Sequence, residues 1–207
     1  DPVNGGEGKE VRLRGGGGLQ KKSGTCAMVS LFSLGLTGLT AIRRHVDLPL
    51  HCHRNGWGIY SRSPDIGISF RVWQKFWRLA GADHLHVNGI ANKFTEADTT
   101  VIENARSLDD PLSEERGYQA MPVFSSGQTA VQMEETCRAV GHTDFIYCAG
   151  GGIMGHPGGV AGGVASLKQA AEAAVGGIPA HVFAKDHKEL SEALDLFGKK
   201  DGTGARK

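Results

Sequence analysis

Short apolar segments alternate with longer segments of helical period, and this alternation restricts the fold more than any other feature of the sequence. The apolar segments cover residues 26–32, 48–53, 82–86, 121–124 and 145–149, each bounded by loop residues. Their length and composition predict buried strands. Helices are predicted over 63–80, from 95 onward, and over 128–140, 160–175 and 186–197. Strands that alternate with helices form parallel sheets, so we expect an α/β fold, either a barrel or doubly wound.

The helix predicted over 63–80 has the clearest apolar stripe. It opens with Ser-Pro-Asp at 63–65, which is a typical helix start. Phe70, Trp73 and Trp77 then follow at helical spacing. We interpret this stripe as core rather than as a binding site.

The charge balance limits the partners that the protein can have. The 207 residues include 23 Lys and Arg against 22 Asp and Glu, for a net charge of +1. No overall field therefore favours nucleic acid or an acidic membrane. The four cysteines form no CxxC pair, which predicts reduced thiols and a cytoplasmic location. Residues 26–42 are apolar but short and contain Ser, Thr and Gly, so we interpret them as a strand entering a helix rather than a membrane span.

Composition also suggests three segments along the chain. Residues 1–23 are basic and glycine-rich without an apolar period. They are consistent with a solvated linker, a phosphate-binding arm or a shifted reading frame. We expect the folded part to cover 24–198, and 199–207 to be a flexible tail.

Polar residues cluster directly after four of the predicted strands. The clusters contain "HCHRNGWG", "DHLHVNGIANKF", "SSGQ" and "GGGIMGHPGG". Each lies at the carboxyl end of its strand, where active sites of parallel α/β folds are found. The agreement of four segments is stronger evidence for a site than any one motif.

The glycine-rich segment after the last strand formally matches a dinucleotide fingerprint, but its context does not fit one. His156-Pro157 interrupts the run into a helix, and no acid ends a following strand. We interpret the exposed amides as an anion cradle instead. Residues 125–127 would form a similar cradle, and paired loops of this kind bind phosphate in (β/α)₈ barrels.

Two His-x-His pairs, His51/His53 and His84/His86, place both members of each pair on one strand face. They could bind a metal, as in barrel hydrolases. We favour a structural role for His51 and His84, as histidines whose hydrogen bonds are satisfied inside the fold. His53 and His86 lie nearer the strand ends and are better site candidates.

Taken together, "LHCHRNGWG", "GADHLHVNGIANKF", "MPVFSSGQ" and "AGGGIMGHPGG" resemble, in order and spacing, the C-terminal barrel of the ribulose bisphosphate carboxylase (RuBisCO) large chain. The resemblance covers about residues 24–197 and implies strands four to eight of a (β/α)₈ TIM barrel. The residues of these motifs are most similar to those of the RuBisCO-like proteins that act on 3-oxo sugar-acid phosphates. Val87, Ser126 and the loop "VNGIANKF" differ from the carboxylases, so carbon dioxide fixation by a carboxylase proper is the alternative.

The resemblance implies roles for eight residues. His53 would transfer protons at the sugar carbons, and Lys93 would be the mobile-loop lysine that closes on the reacting group. One phosphate would be held by Arg54, His86 and Ser125. Another anionic group would be held by the backbone around Gly127, Gly150 and Gly151.

The resemblance also implies a magnesium ion, which would stabilise an enediolate. The family holds it with a Lys-Asp-Asp-Glu segment that this sequence lacks, so we expect no metal ligands in this chain. We therefore expect a RuBisCO-like fragment, homodimeric in an intact member, whose reaction is decarboxylation or carbon–carbon hydrolysis of a phosphorylated keto sugar or sugar acid. A metal-dependent hydrolase that uses the histidine pairs and an inactive fragment that binds sugar phosphate are further alternatives.

Overall fold

The computed structural model describes residues 25–63, 65–94 and 96–198, and it shows an α/β fold with a parallel sheet. The segments predicted over 1–23 and 199–207 lie outside the described residues. Contacts divide the chain into two compact units. The first contains residues up to 86 together with 108–121, and the second contains 87–107 and the residues from 122 onward.

All five predicted strands are present. They are β1 (Ala27–Ser30), β2 (Leu50–His53), β3 (His84–Asn88), β4 (Met121–Phe124) and β5 (Ile146–Tyr147). Within the described residues the helices are α1 (Leu31–Arg43), α2 (Gly58–Ser61), α3 (Phe70–Leu79), α4 (Asp98–Asp109), α5 (Met133–Val140), α6 (Gly150–Met154), α7 (Gly159–Val175), α8 (Ala180–Phe183) and α9 (Lys188–Phe197).

Within the first unit the strands follow chain order, with β2 between β1 and β3. In the first unit β1 pairs with β2 and β2 with β3, both in parallel, and in the second unit β4 pairs with β5 in parallel. At least one helix separates each strand from the next, which is the connection that a parallel pair needs. The α/β prediction is therefore confirmed, whereas the (β/α)₈ barrel stays a prediction.

Helix α3 begins later than its sequence predicts. The Ser-Pro-Asp start at 63–65 is wrong, because the helix begins at Phe70 with Ser69 as its cap. The Ser69 hydroxyl accepts a hydrogen bond from the Val72 N–H at 3.3 Å, a donor that also bonds to the Ser69 carbonyl at 3.1 Å. The apolar stripe is confirmed as core, since Trp73 and Trp77 are both buried.

An arginine at the end of α1 fixes the starts of two strands in the first unit. The Arg43 guanidinium donates to the carbonyl oxygens of Leu48 and Gly81 and pairs with the Asp83 carboxylate. Asp83 in turn accepts a hydrogen bond from the Leu50 N–H at 2.7 Å. The beginnings of β2 and β3 are thereby tied together, which sets the register of the residues that follow.

A buried histidine organises the helices of the second unit. His156 Nδ1 accepts from the Gly158 N–H at 2.9 Å, and its Nε2–H donates to the Glu189 carbonyl at 2.9 Å. These two bonds fix one neutral tautomer and join the start of α7 to the start of α9. Along α7, Gly163 packs on α6 so closely that an added Cβ would lie 2.4 Å from the Ile153 carbonyl oxygen.

None of the helices among the described residues is both long enough and apolar enough to span a membrane.

Candidate functional site

Four imidazole rings meet on one face of β2 and β3 in the first unit. The register places His51 beside His84, with ring centroids 5.6 Å apart. The His86 ring lies 4.8 Å from that of His51 and 4.5 Å from that of His53. The prediction that the two members of each His-x-His pair lie on one face of their strand is confirmed.

His51 and His86 are joined by a direct hydrogen bond between their rings. Their Nε2 atoms are 2.8 Å apart, so one nitrogen donates a proton and the other accepts it. His51 therefore satisfies its predicted structural role. The same prediction is wrong for His84, whose buried Nδ1 has no hydrogen-bond partner within the described part of the chain.

Burial keeps His86 neutral at physiological pH. His86 is 6% exposed, and its burial, followed by the positive charges of His53, His51 and Arg54, lowers its pKa to about 3. Burial is also the largest cause that lowers the pKa of His51 and of His84. Because His86 stays uncharged, any anion that it binds must be held through an N–H donor rather than an ionic charge.

His53 is the cluster member that opens on a cavity. Together with Met28, Val29, Ser30 and Asn55 it lines a space of about 390 Å³. Its Nδ1 accepts a hydrogen bond from the Asn55 N–H at 3.0 Å. Neutral His53 therefore carries its proton on Nε2, and Nε2 is the atom that can donate to a ligand.

Arg54 follows directly on β2 and is almost completely buried. Its guanidinium lies over the Phe70 ring, 4.5 Å from the centroid, beside the aromatic cluster that includes Trp57 and Trp73. Stacking on an aromatic face holds the planar cation in place. The structure thus brings His53, Arg54 and His86 together in the first unit.

The second unit contains the other predicted site residues. The Lys93 N–H donates to the Ser126 carbonyl at 3.1 Å, and the Ser125 N–H donates to the Asn88 carbonyl at 3.0 Å. A Cβ added at Gly127 would lie 3.6 Å from the Lys93 Cβ. The loop after β3 and the loop after β4 are therefore in contact, and they place Lys93 beside residues 125–127.

Gly150 and Gly151 form the first residues of α6, directly after β5. A Cβ added at either glycine would meet no atom within 4 Å. Packing therefore does not require glycine at these two positions, in contrast to Gly152, where a Cβ would lie 2.9 Å from Thr129 Cα. The space in front of their backbone fits the predicted cradle, although its ligand stays a prediction.

Asn88 and Gln128 are two residues in these loops to which the sequence alone assigned no role. Both are buried polar side chains, at 7% and 1% exposure. Asn88 lies within one of the predicted polar clusters and Gln128 ends another, and this position was the available signal. What marks them out is their contacts, which only the fold reveals.

The described residues do not fit a metal ion. Over residues 25–63, 65–94 and 96–198, no three His, Cys, Asp or Glu side chains are grouped so that they could hold one. We therefore assign no chemical step to magnesium.

Comparison with known proteins gives one consistent family. Residues 9–197 match the model of the ribulose bisphosphate carboxylase large chain, catalytic domain. The chain is 54% identical over 176 residues to a protein of Xanthobacter autotrophicus named 3-oxo-isoapionate-4-phosphate transcarboxylase/hydrolase, covering 85% of this chain and 42% of that protein. It is 43% identical over 183 residues to 3-oxo-isoapionate-4-phosphate decarboxylase of Rhizobium etli, covering 88% and 43%.

A solved structure supports the same relationship. The crystal structure of a rubisco-like protein from Burkholderia fungorum has a TM-score of 0.81 and 44% identity, over 84% of this chain and 43% of that one. The chain thus spans somewhat under half the length of the relatives it matches.

Proposed function

Since the chain belongs to the ribulose bisphosphate carboxylase large-chain family, we propose that it functions as a RuBisCO-like enzyme on a phosphorylated 3-oxo sugar acid. Its reaction is decarboxylation or carbon–carbon hydrolysis. The observation that carries the proposal is the 54% identity to a protein named for 3-oxo-isoapionate 4-phosphate. The sequence departures from the carboxylases at Val87 and Ser126 support the same choice over carbon dioxide fixation.

The chemistry of such a substrate defines what the site must do. A carboxylate with an oxo group two carbons away is a β-keto acid. When its carboxyl carbon leaves as carbon dioxide, the electron pair of the broken bond moves onto the 3-oxo oxygen and forms an enolate. The site must therefore donate to that oxygen, supply a proton to the carbon, and hold the phosphate.

His53 fits the first two tasks. Its Nε2 carries the proton in the neutral ring, and the ring opens on the cavity in the first unit. We assign His53 to hydrogen bonding at the oxygen that gains charge and to proton transfer at the adjacent carbon.

Arg54, His86 and Ser125 are assigned to one phosphate of the substrate. Arg54 is permanently charged and its plane is held by Phe70, and His86 contributes a neutral N–H donor. The backbone amides around Gly127, Gly150 and Gly151 are assigned to another anionic group. Lys93 is assigned to the group whose charge changes during the reaction.

The family resemblance further supports a magnesium requirement, a (β/α)₈ barrel to which this chain contributes strands four to eight, a homodimer and a cytoplasmic location. The described residues offer no set of magnesium ligands, so the roles above use only side chains and amides of this chain. The same finding gives no support to a hydrolase that binds metal through the histidine pairs.

The test is turnover of 3-oxo-isoapionate 4-phosphate labelled with ¹³C at its carboxyl carbon. Decarboxylation moves the label into carbon dioxide and bicarbonate, whereas carbon–carbon hydrolysis leaves it in an organic acid, and ¹³C NMR separates the two. We expect one of these products from the protein and a strong reduction with Lys93→Ala, with Lys75→Ala, at an exposed position of α3, as the matched control. Binding without turnover would indicate a sugar-phosphate-binding protein, and the absence of both would refute the proposal.

A further inference from the structure

Hydrogen bonds join the loop that carries Lys93 to the loop after β4. The Lys93 N–H donates to the Ser126 carbonyl at 3.1 Å. The Ser126 hydroxyl donates to Asn88 Oδ1 at 2.9 Å, and Gln128 Nε2 donates to the Ile90 carbonyl at 3.0 Å. These bonds hold the Lys93 loop at three points: at Asn88, where β3 ends, at Ile90, and at Lys93 itself.

Both amide side chains are also bonded at their other end. Asn88 Nδ2 donates to the Glu96 carboxylate, which also accepts from Asn104 Nδ2 at 3.3 Å. Gln128 Oε1 accepts from the Tyr147 hydroxyl at 3.3 Å. With a partner at each end, neither amide can rotate without breaking a bond, and burial makes such a loss costly.

Close packing holds the two loops together as well. A Cβ added at Gly89 would lie 2.2 Å from the Gln128 side-chain amide, so that only glycine allows the approach. Asn88, Ala91 and Ser126 have φ angles of 73°, 47° and 72°, in the left-handed region that side chains rarely adopt. Residues persist in that region where their surroundings determine the conformation.

We propose that Asn88, Ser126 and Gln128 form a loop clamp: they are positioning residues that stabilise the conformation in which the Lys93 loop lies against the loop after β4. Lysine has a flexible side chain that loses much freedom when it is placed against a ligand. If its backbone is already fixed, only the side-chain part of the entropy loss remains to be offset on binding. The inference deepens the role proposed above for Lys93 and rests on it for its catalytic consequence.

The clamp itself is tested by tryptic cleavage after Lys93, which needs no substrate. Ser126→Ala removes the hydroxyl and leaves a non-glycine residue at the same φ. We expect cleavage after Lys93 to become about fivefold faster, as the loss of one hydrogen bond predicts, with cleavage after exposed Arg44 unchanged. Gln128→Glu, which removes the donor to Ile90, should act in the same direction.

Ser113→Ala is the matched control, since it removes an exposed serine hydroxyl that accepts a hydrogen bond from the Arg116 N–H. It should leave cleavage after Lys93 unchanged. Equal acceleration after Lys93 and Arg44, or none at either site, would overturn the clamp.

In turnover, Ser126→Ala should lower kcat about fivefold and leave KM unchanged. A raised KM with an unchanged kcat would contradict positioning of Lys93. Failure of the unaltered protein to turn over would refute the proposed function alone, because the cleavage rates still decide on the clamp.

Discussion

His86 illustrates how burial changes what a histidine can do. On an exposed strand end it would be charged over part of the physiological range and could hold a phosphate by ionic attraction. Inside the cluster with His51 and His53 it is neutral, because its pKa is lowered to about 3. Its value to a ligand is then a directed N–H, and the bond to His51 makes the position of that proton depend on the neighbouring ring.

The lowered pKa of His86 predicts that acid destabilises the first unit. The unfolded chain takes up a proton at this ring near pH 6.5, whereas the folded chain takes it up only near pH 3. The free energy of unfolding should therefore fall as the pH drops below about 6.5, by on the order of 3 kcal/mol at pH 4 from this residue. Urea unfolding at pH 7 and at pH 4 measures the difference.

His86→Gln is the control for this pH dependence, because glutamine keeps a polar side chain but does not titrate. We expect the variant to lose part of the fall in stability between pH 7 and pH 4. An unchanged pH dependence would show that other groups cause it, and His51 and His84, whose pKa values are also lowered, would be the next to replace.

Arg54 and Lys93 should affect different kinetic constants. Arg54 is held rigidly against Phe70 and is assigned to a phosphate that stays bound throughout, so Arg54→Ala should raise KM by about 10- to 100-fold with little change in kcat. Steady-state kinetics provides the measurement. Arg62→Ala, at an exposed position in the same unit, should leave KM unchanged.

Lys93→Ala should mainly lower kcat, by about 100-fold, because its charge is needed most when charge moves in the transition state. Lys75→Ala is the matched control. Lowered kcat in Arg54→Ala together with raised KM in Lys93→Ala would reverse the two assignments.

At the scale of elements, the packing of α7 on α6 depends on one small residue. Gly163→Ala places a methyl group against the Ile153 backbone, which cannot move as a side-chain end can. We expect a loss of about 1–3 kcal/mol in the free energy of unfolding. Thermal or urea unfolding of the variant gives this value.

Gly150→Ala is the matched substitution, because its added Cβ meets nothing within 4 Å. Its stability should change by less than about 0.5 kcal/mol. Equal losses in the two variants would mean that glycine flexibility, and not the close approach of α7 to α6, determines the effect.

The elements also show where sequence patterns succeed and where they do not. The five strands and the Trp stripe of α3 were predictable, because burial imposes a regular apolar pattern. The start of α3 was not, since Ser63 and Ser69 are equally good caps by composition and only the path of the chain decides which one is used. Helix ends depend on a single hydrogen bond, so composition locates them poorly.

For the molecule as a whole, the near balance of 23 basic and 22 acidic residues predicts no affinity for polyanions as such. We expect no binding to duplex DNA or to anionic lipid vesicles at 0.15 M salt, as measured by fluorescence anisotropy and by vesicle sedimentation. Salt-sensitive binding to either would show that the basic residues are concentrated on one surface. Binding of sugar phosphate, by contrast, should persist in competition with DNA.

The sequence by itself determined the α/β class, the position of the polar clusters directly after the strands, and the family. Each of these three depends on local periodicity or on motifs along the chain, and none of them requires knowledge of contacts between distant residues. It also identified His53, Arg54, His86 and Lys93 as candidates, although the roles assigned to them stay predictions.

Only the tertiary structure decided how these residues are held. The proton shared by His51 and His86, the stacking of Arg54 on Phe70 and the bond between Ser126 and Asn88 join residues 16 to 38 positions apart. The order of residues in the sequence does not predict such contacts, because they arise where strand register and loop packing bring side chains together. The same burial that creates them lowers the pKa of His86, a property that its sequence neighbours do not reveal.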